Sequence, residues 1–459
     1  MNFKQAVNNQ YTTTTNGMLA HAQTGNALTN LFYKIGSARD TDIIPDFVAA
    51  FVENPELALR IALWARDARQ GAGERKTFYS ILKYLVGNKQ FYQLDRVLYK
   101  LPEIGRWDDL LQVDHPYALQ LIKEGLSKED RLCAKWMPRK GEKANELRKY
   151  LKLTPKEYRK LLVSLSDTVE QKMCSKNWLG INYSHVPSKA MNVYSKAFQR
   201  NDAIRFIRYI EDIKSRKTKV NASAVYPYEV IHSLRKATKD TQELFIQQWN
   251  ALPNFIKNQS ILPLVDVSGS MDVPNNSKSK VTNMDIAVSL GLYLADKNKG
   301  SFKDLFLTFS QQPQLLHLKG NIKQKLDQMI TSGWGMNTNI IAAMELILKT
   351  AVENLVPQSE MPSTLLILSD MQFDGCVHYN ATAKDIIQKG FQRNGYTPPN
   401  IVFWNLSAKN SNVPARTNDL GVALISGFSP SILQSFLAGE EMTPYSIMLK
   451  TIMKDRYTI

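Results

Sequence analysis

Histidine and cysteine are scarce in this 459-residue chain, which holds six of the first and three of the second. The cysteines, Cys133, Cys174 and Cys376, are odd in number and far apart, without a Cys-x-x-Cys pair, so neither a disulfide framework nor a closed zinc site is encoded. They read as reduced, structural thiols. No His-Glu-x-x-His occurs, which removes the usual basis for zinc-hydrolase chemistry. No run of eighteen apolar residues occurs either, and Met1-Asn2-Phe3-Lys4-Gln5 leads into polar residues rather than a signal core. The expectation is therefore a cytoplasmic protein without a membrane partner.

Positive charge is what the chain has in excess. The formal net charge is +16, and it is concentrated: residues 131–220 hold 22 Lys and Arg against 8 Asp and Glu, whereas residues 261–459 hold 17 against 16. A local field of that size attracts a polyanion, and nucleic acid is the commonest one in cytoplasm. The alternative is a set of solvated helix faces.

The length calls for two or three domains. The first forty residues are polar, and Thr12-Thr13-Thr14-Thr15-Asn16-Gly17 reads as an arm or turn rather than an element. From about 41 to 257 the pattern is helical. Asn54-Pro55-Glu56 places a capping residue before a proline at the first helical position, and Leu57, Ile61, Trp64 and Ala68 then share one face until Gly71 and Gly73 stop it. Thr154-Pro155-Lys156-Glu157 is a capping box, followed by Tyr158, Leu161, Leu162, Leu165, Val169 and Met173 at helical spacing. These stripes are core. No fixed repeat period emerges, although successive short helices suit a solenoid of helix pairs.

After about residue 258 short β-rich runs alternate with helices, the mark of a doubly wound parallel sheet covered on both faces. Ile261 to Val267 reads as the first strand, Leu305 to Phe309 as the second, then Thr364 to Leu368, Ile401 to Trp404 and Val422 to Ile425, with helices over Met284 to Ala295 and Ile340 to Leu348. Ligands on such sheets sit beyond the carboxyl ends of strands, and Asp266 and Asp370 both lie there.

Asp266-Val267-Ser268-Gly269-Ser270 projects one carboxylate and two hydroxyls from a tight loop. Adding the Thr338 hydroxyl and the Asp370 carboxylate, the latter through water, gives a hard oxygen set suited to octahedral Mg²⁺, or to Mn²⁺ or Ca²⁺, with positions left open. Two formal negative charges leave room for a partner's carboxylate or phosphate. A two-metal nuclease needs a denser carboxylate cluster, and no histidine lies beside the motif to act as base. Asp272 and Asp374 read as surface loop residues, and the expectation is that the chain is not an enzyme.

Asp266, Ser268 and Ser270, then Thr338 within Gly335-Met336-Asn337-Thr338-Asn339, then Asp370 within Leu368-Ser369-Asp370, resemble the metal-ion-dependent adhesion site (MIDAS) of von Willebrand factor A (vWA) domains. One departure is Asn339, where that site often has an acidic residue. Three further patterns are Trp64 through Arg75, Ile104-Gly105-Arg106-Trp107-Asp108-Asp109-Leu110-Leu111, and Trp178 through Ser188. With Leu368 through Asp374, they resemble a domain-of-unknown-function family in which a helical half precedes a vWA half, over about Asn16 to Tyr457. More distantly, the order of parts and the Arg-Asp-x-Arg-x-Gly-x-Gly-Glu-Arg pattern resemble the Ro ribonucleoprotein and its TROVE module.

That resemblance implies HEAT-like helical repeats over 41–257, a Rossmann-like vWA domain over 258–459, and a ribonucleoprotein that binds small structured or misfolded RNA. Read from the residues, Arg66, Asp67, Arg69, Glu74 and Arg75, and Arg106 with Asp108 or Asp109, form ion pairs joining adjacent helices. The candidate RNA contacts are Arg139, Lys140, Lys143, Arg148, Lys149 and Lys152, with Lys172, Lys176, Lys189, Lys196 and Arg200 around the Asn182-Tyr183-Ser184-His185 loop. Trp136, Trp178 and Tyr183 are interleaved with them and either stack bases or anchor the core. Against this RNA-binding reading stand a protein-assembly scaffold whose metal grips an acidic partner residue, and a metal-dependent nuclease.

Overall fold

The computed structural model describes residues 11–222, 224–256, 260–275, 280–309, 312–331, 338–374, 382–409, 412–436 and 442–459. Cys376 and the Gly335-Met336-Asn337 part of the second metal segment lie outside them.

The polar start is more structured than its composition suggests. Strands β1 (Tyr11–Thr13) and β2 (Leu19–His21) pair antiparallel around the turn Thr14–Gly17, where Gly17 takes φ of 92°. Asn26 then caps a helix, Ala27–Ile35, accepting the Thr29 N–H at 2.8 Å, and this helix buries Leu28, Leu31, Phe32 and Ile35. Four apolar residues at helical spacing place it in the core, where the surrounding Thr, Asn and Gly had masked it.

Helices follow one another to Lys239–Asn250, most of them packed on a helix one or two places away in sequence. Asn54 caps Pro55–Arg66 by accepting the Leu57 N–H at 3.0 Å, and the helix stops at Asp67. The capping box at Thr154 and Glu157 starts Pro155–Leu165. The apolar spacing beyond it does not continue one helix. A second box, Thr168 with Gln171, opens a separate short helix, Val169–Cys174.

The sheet has the order β5-β4-β3-β6-β7-β8, with β3 Ile261–Asp266, β4 Leu305–Phe309, β5 Gln314–His317, β6 Thr364–Ser369, β7 Asn400–Asn405 and β8 Val422–Ser426. All neighbours are parallel except β4 with β5. Strands β3, β6 and β8 are buried at every position, as both-face coverage requires, so their sequences read as unbroken apolar runs. Helix Asn283–Lys297 lies so close to the sheet that a Cβ on Gly291 would sit 2.4 Å from Val265 Cγ2 and 2.6 Å from Phe306 Cε2. The fold is thus an α-helical half followed by an α/β half of vWA topology. Among the described residues no helix is long and apolar enough to cross a membrane.

Both ends of the helical half return to the α/β half. At its start, Ala27–Ile35 packs on β8, with the Gly36 N–H donating to Ser426 Oγ at 3.0 Å and that hydroxyl donating to the Phe32 carbonyl at 3.0 Å. At its end, Pro227–Arg235 packs on Asn283–Lys297, and Trp249 Nε1 donates to Asp296 at 2.9 Å. Near the C-terminus, Pro444–Ile452 packs on Pro55–Arg66, and the buried Asp67 accepts from Arg456 Nε at 2.5 Å, from Nη2 at 3.1 Å and from the Tyr457 hydroxyl at 3.0 Å. The chain is closed into a circuit.

Candidate metal centre and basic surface

Strand order reverses between β3 and β6, and the carboxyl ends of these two strands deliver Asp266 and, one residue on, Asp370. Asp266 is fully buried. Its Oδ1 accepts the Ser268 N–H at 2.9 Å and its Oδ2 accepts the Ser369 hydroxyl at 2.6 Å. Ser268 Oγ and Ser270 Oγ stand 3.0 Å apart, and Ser270 also bonds to Asp370. Ser270 is exposed whereas Asp266, Ser268, Thr338 and Asp370 are buried, so the oxygen cluster opens to solvent on one side.

Burial, and then the charge of Asp370, push the Asp266 carboxyl up to about 7; burial likewise raises Asp370. Two carboxylates crowded at low dielectric favour a cation between them. Among the described residues Thr338 Oγ1 is buried with no hydrogen-bond partner, which is costly for a hydroxyl unless something else takes its lone pair. A divalent ion fits this donor set. Among the described residues there is no group of three His, Cys, Asp or Glu side chains arranged to hold one, so any site here is built from carboxylates and hydroxyls together.

Several residues that sequence reasoning missed shape this loop. Met371, the residue after Asp370, is buried in a left-handed conformation at φ of 65°, uncommon for a side chain of its size. It is pinned by its N–H donating to Ser369 Oγ at 2.9 Å and by its carbonyl accepting Asn412 Nδ2 at 2.9 Å. Gln372 N–H donates to Asp370 at 3.2 Å, and the Asp374 N–H donates to the Thr338 carbonyl at 2.9 Å, tying the second and third segments together. The N-terminal turn closes over the same stretch: Thr14 Oγ1 donates to the Phe373 carbonyl at 2.6 Å, the Thr15 N–H to Gln372 Oε1 at 2.6 Å, and Asn16 Nδ2 to Asp374 at 3.0 Å. Asn339, which stands where an acid is usual, caps helix Ile340–Glu353 by accepting the Ala342 N–H at 3.0 Å. Asp272 is exposed and Asp374 is half-buried under Asn16.

Of the expected ion pairs Arg106 with Asp108 is found, whereas the charges of the first arginine motif pair outside it. Arg66 and Asp109, 1% and 0% exposed at their side chains, meet at 2.6 Å and join the two arginine motifs, while Arg106 pairs with Asp108 and Glu74 pairs with Arg39 at 2.7 Å. In the basic block, Arg139, Lys140, Lys143, Lys149, Lys152, Lys176, Lys189, Lys196 and Arg200 are exposed, and Arg148 and Lys172 are half-buried. Lys143, Lys172 and Lys189 meet Glu146, Asp167 and Glu229 at 3.2, 3.0 and 3.1 Å. Among the described residues Lys140, Lys149, Lys152, Lys176, Lys196 and Arg200 have no ion-pair partner. Lys189 departs from the group by lining an interior cavity. Tyr183 is a core anchor, buried among Phe198, Phe206 and Tyr209 with its hydroxyl on Asp202 at 2.7 Å. Trp136 carries the Arg106 guanidinium 3.6 Å from its ring centroid, and Trp178 is half-buried.

Residues 260–455 match the model described as Domain of unknown function (DUF7788), and residues 14–89 and 116–262 match Domain of unknown function (DUF2828). The uncharacterized protein L728 of Acanthamoeba polyphaga mimivirus is 28% identical, over 96% of this chain and 86% of its own length. The crystal structure of the Deinococcus radiodurans Ro (RSR) protein aligns with 90% of this chain and 91% of its own, at 12% identity and a TM-score of 0.38. The resemblance expected from the motifs to domains of unknown function is present, with one such domain in each half.

Proposed function

From this two-part chain, helical then α/β, we propose an RNA-binding protein whose basic helical half holds structured or single-stranded RNA and whose α/β half binds a divalent cation for adhesion to an acidic group. The observation that carries the RNA reading is the set of exposed cations at Lys140, Lys149, Lys152, Lys176, Lys196 and Arg200, which have no ion-pair partner among the described residues. An unpaired surface cation is free to displace counterions from phosphate, the main source of sequence-independent affinity.

In the α/β half, Ser268, Ser270 and Thr338 would hold Mg²⁺ directly with Asp266, and Asp370 would stand behind them. Bound there, the ion supplies an electrophilic contact for a carboxylate or phosphate arriving from the side that Ser270 opens. The reading is adhesion rather than catalysis, because among the described residues no group of three His, Cys, Asp or Glu side chains gathers there to supply a base beside the ligands.

The test is binding of a structured RNA and a single-stranded RNA to the full chain across a salt series, beside a variant with Lys140, Lys143, Arg148 and Lys149 all replaced by Glu. The expected result is affinity tighter than about micromolar at low salt, and a salt slope that falls by roughly one for each phosphate contact removed. Weaker binding, or an unchanged slope in the variant, refutes the RNA reading. Mg²⁺-dependent loss of intact RNA, abolished by Asp266→Ala, would instead establish a nuclease.

A further inference from the structure

The arginine motifs have a second consequence besides their ion pairs. They converge, with segments around residues 132–136, 187–194 and 224–228, on a cavity of about 570 Å³ inside the helical half, within the size range of small-molecule sites. Its wall carries seven Arg and Lys side chains, and the acids that pair with them are five: Glu74, Asp108, Asp109, Glu170 and Glu229. The surplus of two positive charges matches one phosphate dianion.

Three of the seven cations keep exposed ends, although Lys189 also meets Glu229 at 3.1 Å and Arg75 also donates to the Tyr79 hydroxyl at 3.2 and 3.1 Å. Arg69 has no carboxylate partner among the described residues and donates to the Glu103 carbonyl at 2.6 Å. Arg75 is 45% exposed, and its nearest acid, Asp108, is 3.8 Å away and already held by Arg106. Lys189 is 51% exposed above the ring of Tyr226, 4.9 Å from its centroid. Aromatic walls, Trp136 and Tyr226 among them, supply surfaces for a planar ring. On the same wall, Glu170 is held by Lys135 at 3.4 Å, so that pair stays neutral.

The cavity is blind on the side facing the α/β half. Ala68, Arg69, Ala224 and Tyr226 also line a second pocket, bounded by Phe255, Tyr293 and Ser431, whose volume of about 30 Å³ is that of roughly one water. Glycine at position 73 belongs to this narrowing, since a Cβ there would come within 2.4 Å of the Tyr226 hydroxyl. A polymer strand has no passage through such a floor, whereas a mononucleotide has room above it.

We propose that this cavity is a binding site for a nucleoside 5′-phosphate, with Arg69, Arg75 and Lys189 taking the phosphate and the aromatic wall facing the base. The site is separate from the RNA-binding surface and stands or falls independently of it.

Isothermal titration of the full chain with AMP, GMP, CMP and UMP tests it, beside inorganic phosphate and the four nucleosides as separate arms. At least one nucleotide should bind at least about tenfold tighter than either phosphate or its nucleoside, and Lys189→Glu and Arg75→Glu should each weaken it about tenfold or more at unchanged melting temperature. If a charge reversal unfolds the chain, Lys189→Gln and Arg75→Gln take its place. Absence of binding by all four nucleotides at millimolar concentration overturns the proposal. So does binding that survives both substitutions, and so does a short single-stranded RNA that binds in an Arg75- and Lys189-dependent way where mononucleotides do not.

Discussion

Replacing Asp266 by Asn tests the charge balance of the candidate metal centre directly. In the chain without a cation, burial and Asp370 raise the Asp266 carboxyl from 3.8 to about 7. Because the folded-state value lies above the unfolded one, the native state takes up the extra proton. The resulting stabilisation is complete below the unfolded value and is lost as pH rises through about 7. A difference of about three pK units sets a ceiling of about 4 kcal/mol. A divalent cation needs the carboxylate, so its effect runs the other way and grows as the proton leaves.

Asn at 266 keeps an oxygen for the Ser268 N–H and removes the charge that burial opposes. In chelator at about pH 8, Asp266→Asn is therefore expected to be more stable than the wild-type chain by roughly 1 to 4 kcal/mol, with the gap closing toward about pH 5. Added Mg²⁺ should stabilise the wild-type chain more at the higher pH and leave the Asn variant unmoved. Urea unfolding followed by tryptophan fluorescence at both pH values, with and without Mg²⁺, measures all of this. A wild-type chain equally stable at both pH values in chelator, or an Asn variant that gains as much from Mg²⁺, would refute the reasoning.

Asp67→Ala leaves the buried Tyr457 hydroxyl without its acceptor and takes one of two carboxylates from Arg456, which keeps Glu103 at 3.1 Å, a loss of about 1 to 3 kcal/mol. A loss under about 1 kcal/mol in the urea midpoint would show that the C-terminal clasp does not hold the halves together. Thr14→Val removes the hydroxyl that donates to the Phe373 carbonyl and accepts the Met18 N–H, loosening the grip of the N-terminal turn on the loop that carries Asp370. Mg²⁺ affinity is expected to fall about tenfold by titration, and an unchanged affinity would mean that the turn does not position that loop.

What could be read from the sequence followed the physics of each part. Strands β3, β6, β7 and β8 were legible because burial on both faces writes a continuous apolar run, whereas the edge strand β5 is four residues long, exposes alternate positions and was missed. The oxygen cluster was legible because its first segment must present its ligands at a fixed spacing from one tight loop. Ser369, Gln372 and Asn412 were not, since each acts by a tertiary contact that no local spacing encodes. The arginine motifs announced ion pairs but not partners: Arg66 finds its carboxylate 43 residues away, in the other motif. The interior cavity was invisible for the same reason, being assembled from several segments spread between Arg39 and Tyr228.

The closure of the chain explains two helices that amphipathic reasoning handles badly. Pro55–Arg66 is buried at every position from Ala58 to Arg66, and Asn283–Lys297 is buried continuously from Ile286 to Ala295. A helix covered on one side only would alternate apolar and polar faces. These two do not, because each is pressed from two directions. Pro55–Arg66 lies between its helical neighbours and the C-terminal helix Pro444–Ile452, and Asn283–Lys297 lies between the sheet and Pro227–Arg235. The change of composition near residue 258 therefore marks a change of architecture and not a boundary of independent stability. Cutting there would expose the far face of both helices to water and strip Asp67 and Trp249 of the partners that satisfy them. The basic surface and the oxygen cluster accordingly belong to one folding unit, and the N-terminal turn, which begins the helical half, is hydrogen-bonded at its tip to Asp374 beside the cluster.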